Sequence, residues 1–133
     1  MIVSIYAAAL TLLFIFLTMR TIKIRMKYST ILGDGGHHEL QRAIRAHANF
    51  VEYAPFSLLL ILLLELQTAN LYLLHGLGIA LFLGRALHAY SLLKAESYEN
   101  GNIVIGTIKF RQIAMFLSFW VMGIAALALL ITA

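Results

Sequence analysis

The fold is decided by one stretch, Arg45-Ala46-His47-Ala48-Asn49-Phe50-Val51-Glu52-Tyr53-Ala54-Pro55, which carries polar groups into an otherwise apolar segment. At 100° per residue, the polar side chains share a helix face about 80° wide, and the opposite face is mostly apolar. This polar face consists of His38, Arg42, Arg45, Asn49 and Glu52. An ionisable residue at membrane depth costs about 2.5–3.5 kcal/mol, so such residues normally face another helix or an aqueous cavity. We therefore expect the rest of the chain to shelter this face.

The composition is that of a membrane protein. The chain has 133 residues, of which 62% are hydrophobic and 12% charged, and its mean hydropathy is +0.89. A bilayer core about 30 Å thick needs roughly 20 apolar residues per helical crossing, which leaves room for four crossings. We expect an all-α, integral membrane four-helix bundle that forms a single domain over residues 1–133.

Cysteine is absent, which excludes a disulfide, a thiolate metal site and a thiol nucleophile supplied by the chain. The net charge of +4 is compatible with nucleic-acid binding. Membrane topology explains the basic residues better, because they cluster in and beside two loops. We therefore expect no nucleic-acid partner.

Hydropathy and turn signals predict helices at about residues 2–28, 39–67, 71–93 and 107–132. A cleaved signal peptide is not expected, since the chain starts without basic residues and Arg20 directly follows the first apolar run. Pro55 should kink the second helix and widen a cavity near Glu52. Small residues in the third helix should allow close packing, namely Gly76, Gly78 and Gly84.

The connecting segments suggest no phosphate or metal site. Gly33-Asp34-Gly35-Gly36 is a turn signal without the Lys-Ser/Thr ending of a phosphate loop. His37 and His38 are adjacent, a spacing unsuited to two ligands on one helix face, so we expect no metal. Residues 94–109 are polar and predict a loop.

The basic residues predict the topology. Nine of the ten Lys and Arg lie around the first and third connections, and the tenth, Arg85, lies inside the third helix. The positive-inside rule places both connections in the cytoplasm and both termini on the opposite side. We expect the membrane to be a bacterial inner membrane rather than the endoplasmic reticulum.

The second and third helices should form an antiparallel hairpin about a turn between Thr68 and Ala69. Residues whose numbers sum to about 137 then lie at equal depth. Arg85 falls opposite Glu52, and His88 falls opposite Asn49. We expect Arg85 and Glu52 to form an ion pair. The alternative is that this pair serves only to stabilise the bundle.

Many cations surround the one carboxylate of the polar face. They are Arg25, Arg42, Arg45, Arg85, Lys109 and Arg111. Guanidinium groups bind carboxylates in bidentate geometry, and Glu52 could bind an ammonium group, so an anionic ligand that carries an amine would fit. Glutathione has these groups, and cations favour the thiolate, its nucleophilic form.

The stretch from Arg45 to Pro55 resembles the signature of the MAPEG family, the membrane-associated proteins in eicosanoid and glutathione metabolism, in its Arg-Ala-x-x-Asn-x-x-Glu-Tyr-x-Pro form. Ile24-Arg25-Met26-Lys27, Gly84-Arg85-Ala86-Leu87-His88 and Arg111 resemble the family pattern in order and spacing. The resemblance covers almost the whole chain and is typical of a bacterial member.

The resemblance implies a homotrimer that binds glutathione as cosubstrate between subunits, near the cytoplasmic face, and acts on lipophilic small molecules from the surrounding lipid. It assigns Arg45, Asn49, Glu52 and Tyr53 to glutathione from one subunit. Arg25 and His47 would reach in from the next subunit, and His88 would be a further contact. Arg111 would stabilise the thiolate, with Lys109 as its rival.

One position departs from the family pattern. Glutathione-using members often carry Tyr where this chain has Leu92, and Tyr90 lies on the opposite helix face. The family also contains a member that binds lipid without catalysis. Two hypotheses therefore stand, a glutathione transferase or peroxidase and a noncatalytic lipid-binding or scaffold protein. A small drug exporter is disfavoured, because the first helix carries no membrane carboxylate.

Overall fold

The structure, a computed structural model, describes residues 1–67, 69–99 and 102–132. It contains four long helices, α1 (Val3–Lys27), α2 (His38–Leu66), α3 (Leu71–Tyr90) and α4 (Lys109–Thr132). Each is long and apolar enough to cross a membrane, α3 being continued as far as Ala95. The predicted all-α bundle of four membrane helices is confirmed.

The connection between α3 and α4 has more structure than the loop predicted over residues 94–109. A π-helical turn, Ser91–Ala95, extends α3, and the antiparallel strands β1 (Tyr98–Glu99) and β2 (Asn102–Ile103) follow. A 3₁₀ turn, Ile105–Thr107, then leads into α4. Three residues predicted to lie in turns, Thr68, Asn100 and Gly101, fall outside the described residues.

Close packing of α1 on α3 depends on a glycine. A Cβ atom at Gly78 would lie 2.4 Å from the ring of Tyr6, so only glycine fits there without a shift. The Tyr6 hydroxyl also lies 2.8 Å from Nδ1 of His75 on α3. Of the other glycines expected at close contacts, Gly84 packs against Ser118 of α4, whereas Gly76 faces open space.

Polar contacts hold both ends of α1. The Glu65 carboxylate of α2 accepts hydrogen bonds from the backbone N–H groups of Ile2 and Val3, which stabilises the helix start. At the other end, Lys27 and the Tyr28 hydroxyl donate to Glu39 of α2 at 2.6 and 2.7 Å. These contacts fix the hairpin of α1 and α2 at both membrane surfaces.

Large apolar side chains cover much of the outer surface. Examples are Phe16, Phe116, Trp120 and Leu127, each more than half exposed. Exposed apolar area on this scale is unsuited to water and suits contact with lipid or with other subunits. The chain is a multi-pass membrane protein, and the homotrimer stays a prediction.

Candidate functional site

The predicted ion pair between Arg85 and Glu52 is not formed, so that prediction is wrong for the protomer. Arg85 donates instead to the Asn49 side-chain oxygen at 2.6 Å and to the Ser118 hydroxyl. Glu52 lies 3.3 Å from Arg45 on its own helix, and its side chain is 48% exposed. The equal-depth argument gives height along the helices but not rotation about them, and Glu52 is rotated outward.

Among the described residues, Arg85 is the largest of the fully buried side chains, at 1% exposure. A buried guanidinium is costly unless its N–H groups find acceptors. Asn49 of α2 and Ser118 of α4 supply two of these acceptors, and the Tyr53 ring lies 5.2 Å from the guanidinium carbon. Arg85 therefore ties three helices together through neutral partners.

Two adjoining cavities open at the basic end of the bundle. The loop cavity, about 370 Å³, is lined by Gly33, Asp34, Gln41, Arg42, Ile44, Arg45, Ala48, Leu92 and Arg111. The inner cavity, about 410 Å³, is lined by Arg45, Asn49, His88, Leu92, Ile108, Arg111, Gln112 and Met115. Arg45, Leu92 and Arg111 line both, so the two cavities are neighbours.

The inner cavity collects four of the residues that the sequence analysis selected. Arg45 and Asn49 reach it from α2, His88 from α3 and Arg111 from α4. Asn49 and His88, which the hairpin arithmetic set at equal depth, thus line the same cavity. Arg111 lines both cavities and Lys109 lines neither. Of these two candidates for stabilising the thiolate, Arg111 is therefore the better placed.

Glu96 is a candidate site residue that the sequence analysis missed. Its side chain is fully buried, and Oε2 lies 3.2 Å from Nη1 of Arg111. Oε1 accepts a hydrogen bond from the Ser91 hydroxyl at 3.1 Å, and Arg42 donates to the Glu96 backbone oxygen at 3.2 Å. In the sequence, Glu96 resembles any other acid of a polar loop, and no spacing rule distinguishes it.

Other predicted site residues lie outside both cavities of their own protomer. Arg25 donates to backbone oxygens of the first loop, the shortest bond being 2.9 Å to Gly33. Because Gly33 lines the loop cavity, Arg25 shapes that wall indirectly. His47 lies 3.1 Å from the Thr18 hydroxyl and packs against Phe14 of α1. Tyr53 packs edge-on against Phe119 of α4.

A cavity lies beside Pro55, but it is not the one that the sequence predicted at Glu52. A cavity of about 260 Å³ between α1 and α2 is lined by Pro55, and its other walls are almost wholly apolar, including Leu10, Phe14 and Phe50. Glu52 does not line it. The cavity beside Pro55 is therefore separate from the loop cavity and the inner cavity.

Within the described residues, no group of three or more His, Cys, Asp or Glu side chains is arranged to hold a metal ion. The inner cavity instead combines two guanidinium groups, an imidazole and two amides with the apolar side chains of Leu92, Ile108 and Met115. Such a surface can bind an anionic ligand that has an apolar part.

Comparison with known proteins gives the family. The MAPEG family model matches residues 3–131. The chain belongs to the MAPEG family. It is 40% identical to inner membrane protein YecN of Escherichia coli K12 over 90 residues. The matched region is 68% of this chain and 69% of that protein. The YecN protein of E. coli O6:H1 matches equally well. No solved structure matches.

In this MAPEG chain, the side chains of the signature on α2 lie in different surroundings. Arg45 and Asn49 line the inner cavity, His47 faces α1, and Glu52 is exposed. A helix that alternates in this way can offer contacts to its own cavity and to a neighbouring subunit at once.

Proposed function

We propose that the protein is a membrane-bound, glutathione-dependent transferase or peroxidase that acts on lipophilic electrophiles or lipid hydroperoxides. One observation carries the proposal. Arg45, Asn49, His88 and Arg111, taken from three helices, line a single cavity of about 410 Å³ at the basic end of the bundle. Glutathione from the aqueous side and a lipophilic substrate from the membrane can meet there.

The lining suits the groups of glutathione. Its two carboxylates match the guanidinium groups of Arg45 and Arg111, and the Asn49 amide can accept or donate a hydrogen bond. Asp34, on the wall of the loop cavity, and Glu52 are candidate partners for the ammonium group. Leu92, Ile108 and Met115 provide an apolar wall beside these groups.

In the conjugation reaction, the glutathione thiol loses its proton to water and the sulfur lone pair forms a bond to the electrophilic carbon. The leaving group departs with the electron pair of its bond. With a hydroperoxide, the thiolate attacks the terminal oxygen, the O–O bond breaks and the alkoxide takes a proton. A second glutathione then converts the sulfenic acid to the disulfide and water. Arg111 stabilises the thiolate in both reactions.

The proposal includes a homotrimer in an inner membrane, with the basic end in the cytoplasm. Arg25, His47 and Glu52 do not line the protomer's own cavities, and in such an assembly they are available to the cavity of a neighbour. The name of the E. coli relative, an inner membrane protein, supports the location.

Isothermal titration of the detergent-solubilised protein with glutathione tests the proposal. We expect binding in the millimolar range or tighter. Arg111→Ala should change the Kd by less than about threefold and lower kcat by about 10²-fold, whereas Glu52→Ala should weaken binding itself. Lys109→Ala is the control and should alter neither parameter. Absence of binding at tens of millimolar glutathione would remove the proposal.

A noncatalytic lipid-binding or scaffold protein is the second candidate. Leu92 favours it, because this residue lines both cavities and offers a thiol no hydroxyl group. That function predicts that lipid copurifies with the protein and that added glutathione gives no ultraviolet absorbance of a thiolate. Thiolate absorbance in the wild type, lost in Arg111→Ala, would decide for the enzyme.

A further inference from the structure

A groove of about 210 Å³ runs between α1 and α3. It shares no lining residue with the loop cavity or the inner cavity. Leu13, Phe16 and Ala86 line its apolar part. Arg20 and Lys94 also line it, with Tyr90 beside them. None of the functional assignments above uses this groove.

The two cations lie together at one end of the groove. Helices α1 and α3 run in the same direction, and the contact of Tyr6 with Gly78 sets their relative height. Counting from that contact, Arg20 and Lys94 lie within about one helical turn of each other at the basic end. Leu13, seven residues before Arg20, lies about 10 Å deeper in the membrane. The groove therefore has a cationic mouth and an apolar interior.

No direct ion pair neutralises the cations at the mouth within the described part of the chain. Neither Arg20 nor Lys94 forms an ion pair there, and the Arg20 Nε atom is buried without a hydrogen-bond partner. Glu39 attracts Arg20 electrostatically, but its hydrogen bonds are to Lys27 and Tyr28. The Glu96 carboxylate binds Ser91 and Arg111. An external anion would complete the mouth.

We propose that this groove is a binding site for an anionic phospholipid. Arg20 and Lys94 bind the headgroup phosphate, and an acyl chain lies along Leu13, Phe16 and Ala86. The order of groups along the groove matches that of the lipid, with charge at the membrane surface and hydrocarbon below it. Basic pockets between membrane helices bind anionic headgroups in this manner. The proposal does not depend on the glutathione reaction.

Native mass spectrometry of the full-length protein tests the site. The protein in detergent is mixed with equal amounts of phosphatidylglycerol and phosphatidylcholine that carry identical acyl chains. We expect the wild type to retain phosphatidylglycerol preferentially. The double variant Arg20→Gln, Lys94→Gln should lower the amount bound roughly tenfold or more, because each basic residue near the headgroup contributes to binding.

Lys23→Gln is the matched control. Lys23 is exposed, lies one turn from Arg20 on α1 and is outside the groove. Its substitution should change binding less than twofold. An equal loss in Lys23→Gln would show general surface attraction and overturn the proposal, as would an unchanged double variant.

Ala86→Phe examines the apolar half, because it fills the groove and keeps both cations. We expect this variant to lose phosphatidylglycerol while its thermal unfolding in detergent stays close to that of the wild type. Ten millimolar inorganic phosphate should not displace the lipid. Full lipid binding by Ala86→Phe, or displacement of the lipid by inorganic phosphate alone, would contradict a phospholipid-binding site in the groove.

Discussion

The most unusual single residue in the bundle is Arg85, a buried cation with no carboxylate partner among the described residues. Its acceptors are the Asn49 side chain and the Ser118 hydroxyl. Neutral acceptors hold a guanidinium without the second desolvation that a buried carboxylate would require. They also leave Glu52 outside the core, where it remains available to other partners.

The contribution of this arrangement can be measured with two serines. Ser57 and Ser118 are both fully buried, and each donates to the carbonyl oxygen four residues earlier, but only Ser118 also accepts from Arg85. Ser118→Ala should lower the free energy of unfolding by about 1.5–3 kcal/mol, because a charged donor loses an acceptor. Ser57→Ala should cost clearly less.

The measurement is reversible unfolding in detergent micelles, followed by circular dichroism. Equal losses in the two serine variants would mean that the bond from Arg85 to Ser118 adds nothing to stability. Arg85→Met, which removes the charge, should make Ser118→Ala almost neutral.

The sequence predicted which residues line the same cavity better than it predicted which side chains bond to each other. Arg45 and Asn49 reached one cavity because residues four apart share a helix face, and His88 joined them because depth in a hairpin follows from counting. Rotation about the helix axis does not follow from counting, which is why Arg85 and Glu52 were wrongly paired. Glu96 was missed because no periodicity applies within an irregular connection.

At the scale of elements, the π turn at the end of α3 determines where Glu96 points. The turn spans Ser91–Ala95 and is closed by the bond from the Glu96 backbone N–H to the Ser91 oxygen, 2.9 Å. The Ser91 hydroxyl then binds the Glu96 carboxylate, which faces Arg111 at the start of α4. One irregular turn thus orients the candidate catalytic guanidinium.

Removing the carboxylate should therefore free Arg111. We expect Glu96→Ala to lower the free energy of unfolding by about 1–3 kcal/mol, an amount reduced by the partial exposure of Arg111. Glu96→Gln should retain most of the stability, because its amide can still accept from Arg111 and donate to Ser91. Glu39→Ala, at the more exposed pair with Lys27, is the control and should have a smaller effect.

Turnover adds a second readout for Glu96. If Glu96 acts by holding Arg111, the double variant Glu96→Ala, Arg111→Ala should turn over glutathione no more slowly than Arg111→Ala alone. A multiplicative loss would mean that Glu96 acts on the reaction by another route. Loss of stability without any change in turnover would limit Glu96 to a structural role.

For the whole molecule, the charges and the exposed apolar surface together predict an orientation. The cationic cavities, the phospholipid groove mouth and the first and third connections lie at one end of the bundle, and Glu65, the start of α1 and the connection from α2 to α3 lie at the other. Hydropathy fixed the number of spans, because each needs a long apolar run. It could not show how the spans assemble, because lipid and a neighbouring subunit both accept an apolar face.

The absence of cysteine makes the orientation directly testable. Tyr72, beside the connection from α2 to α3, is 86% exposed, and Ile31, in the first loop, is 89% exposed, so a cysteine at either position is accessible. In intact bacterial cells with a permeable outer membrane, an impermeant maleimide should label Tyr72→Cys and not Ile31→Cys. Opening the inner membrane should allow both to react. Labelling of Ile31→Cys in intact cells would place the basic end outside the cytoplasm. The cavities would then face away from the cytoplasmic glutathione pool, which would weaken the proposed reaction but not the phospholipid site.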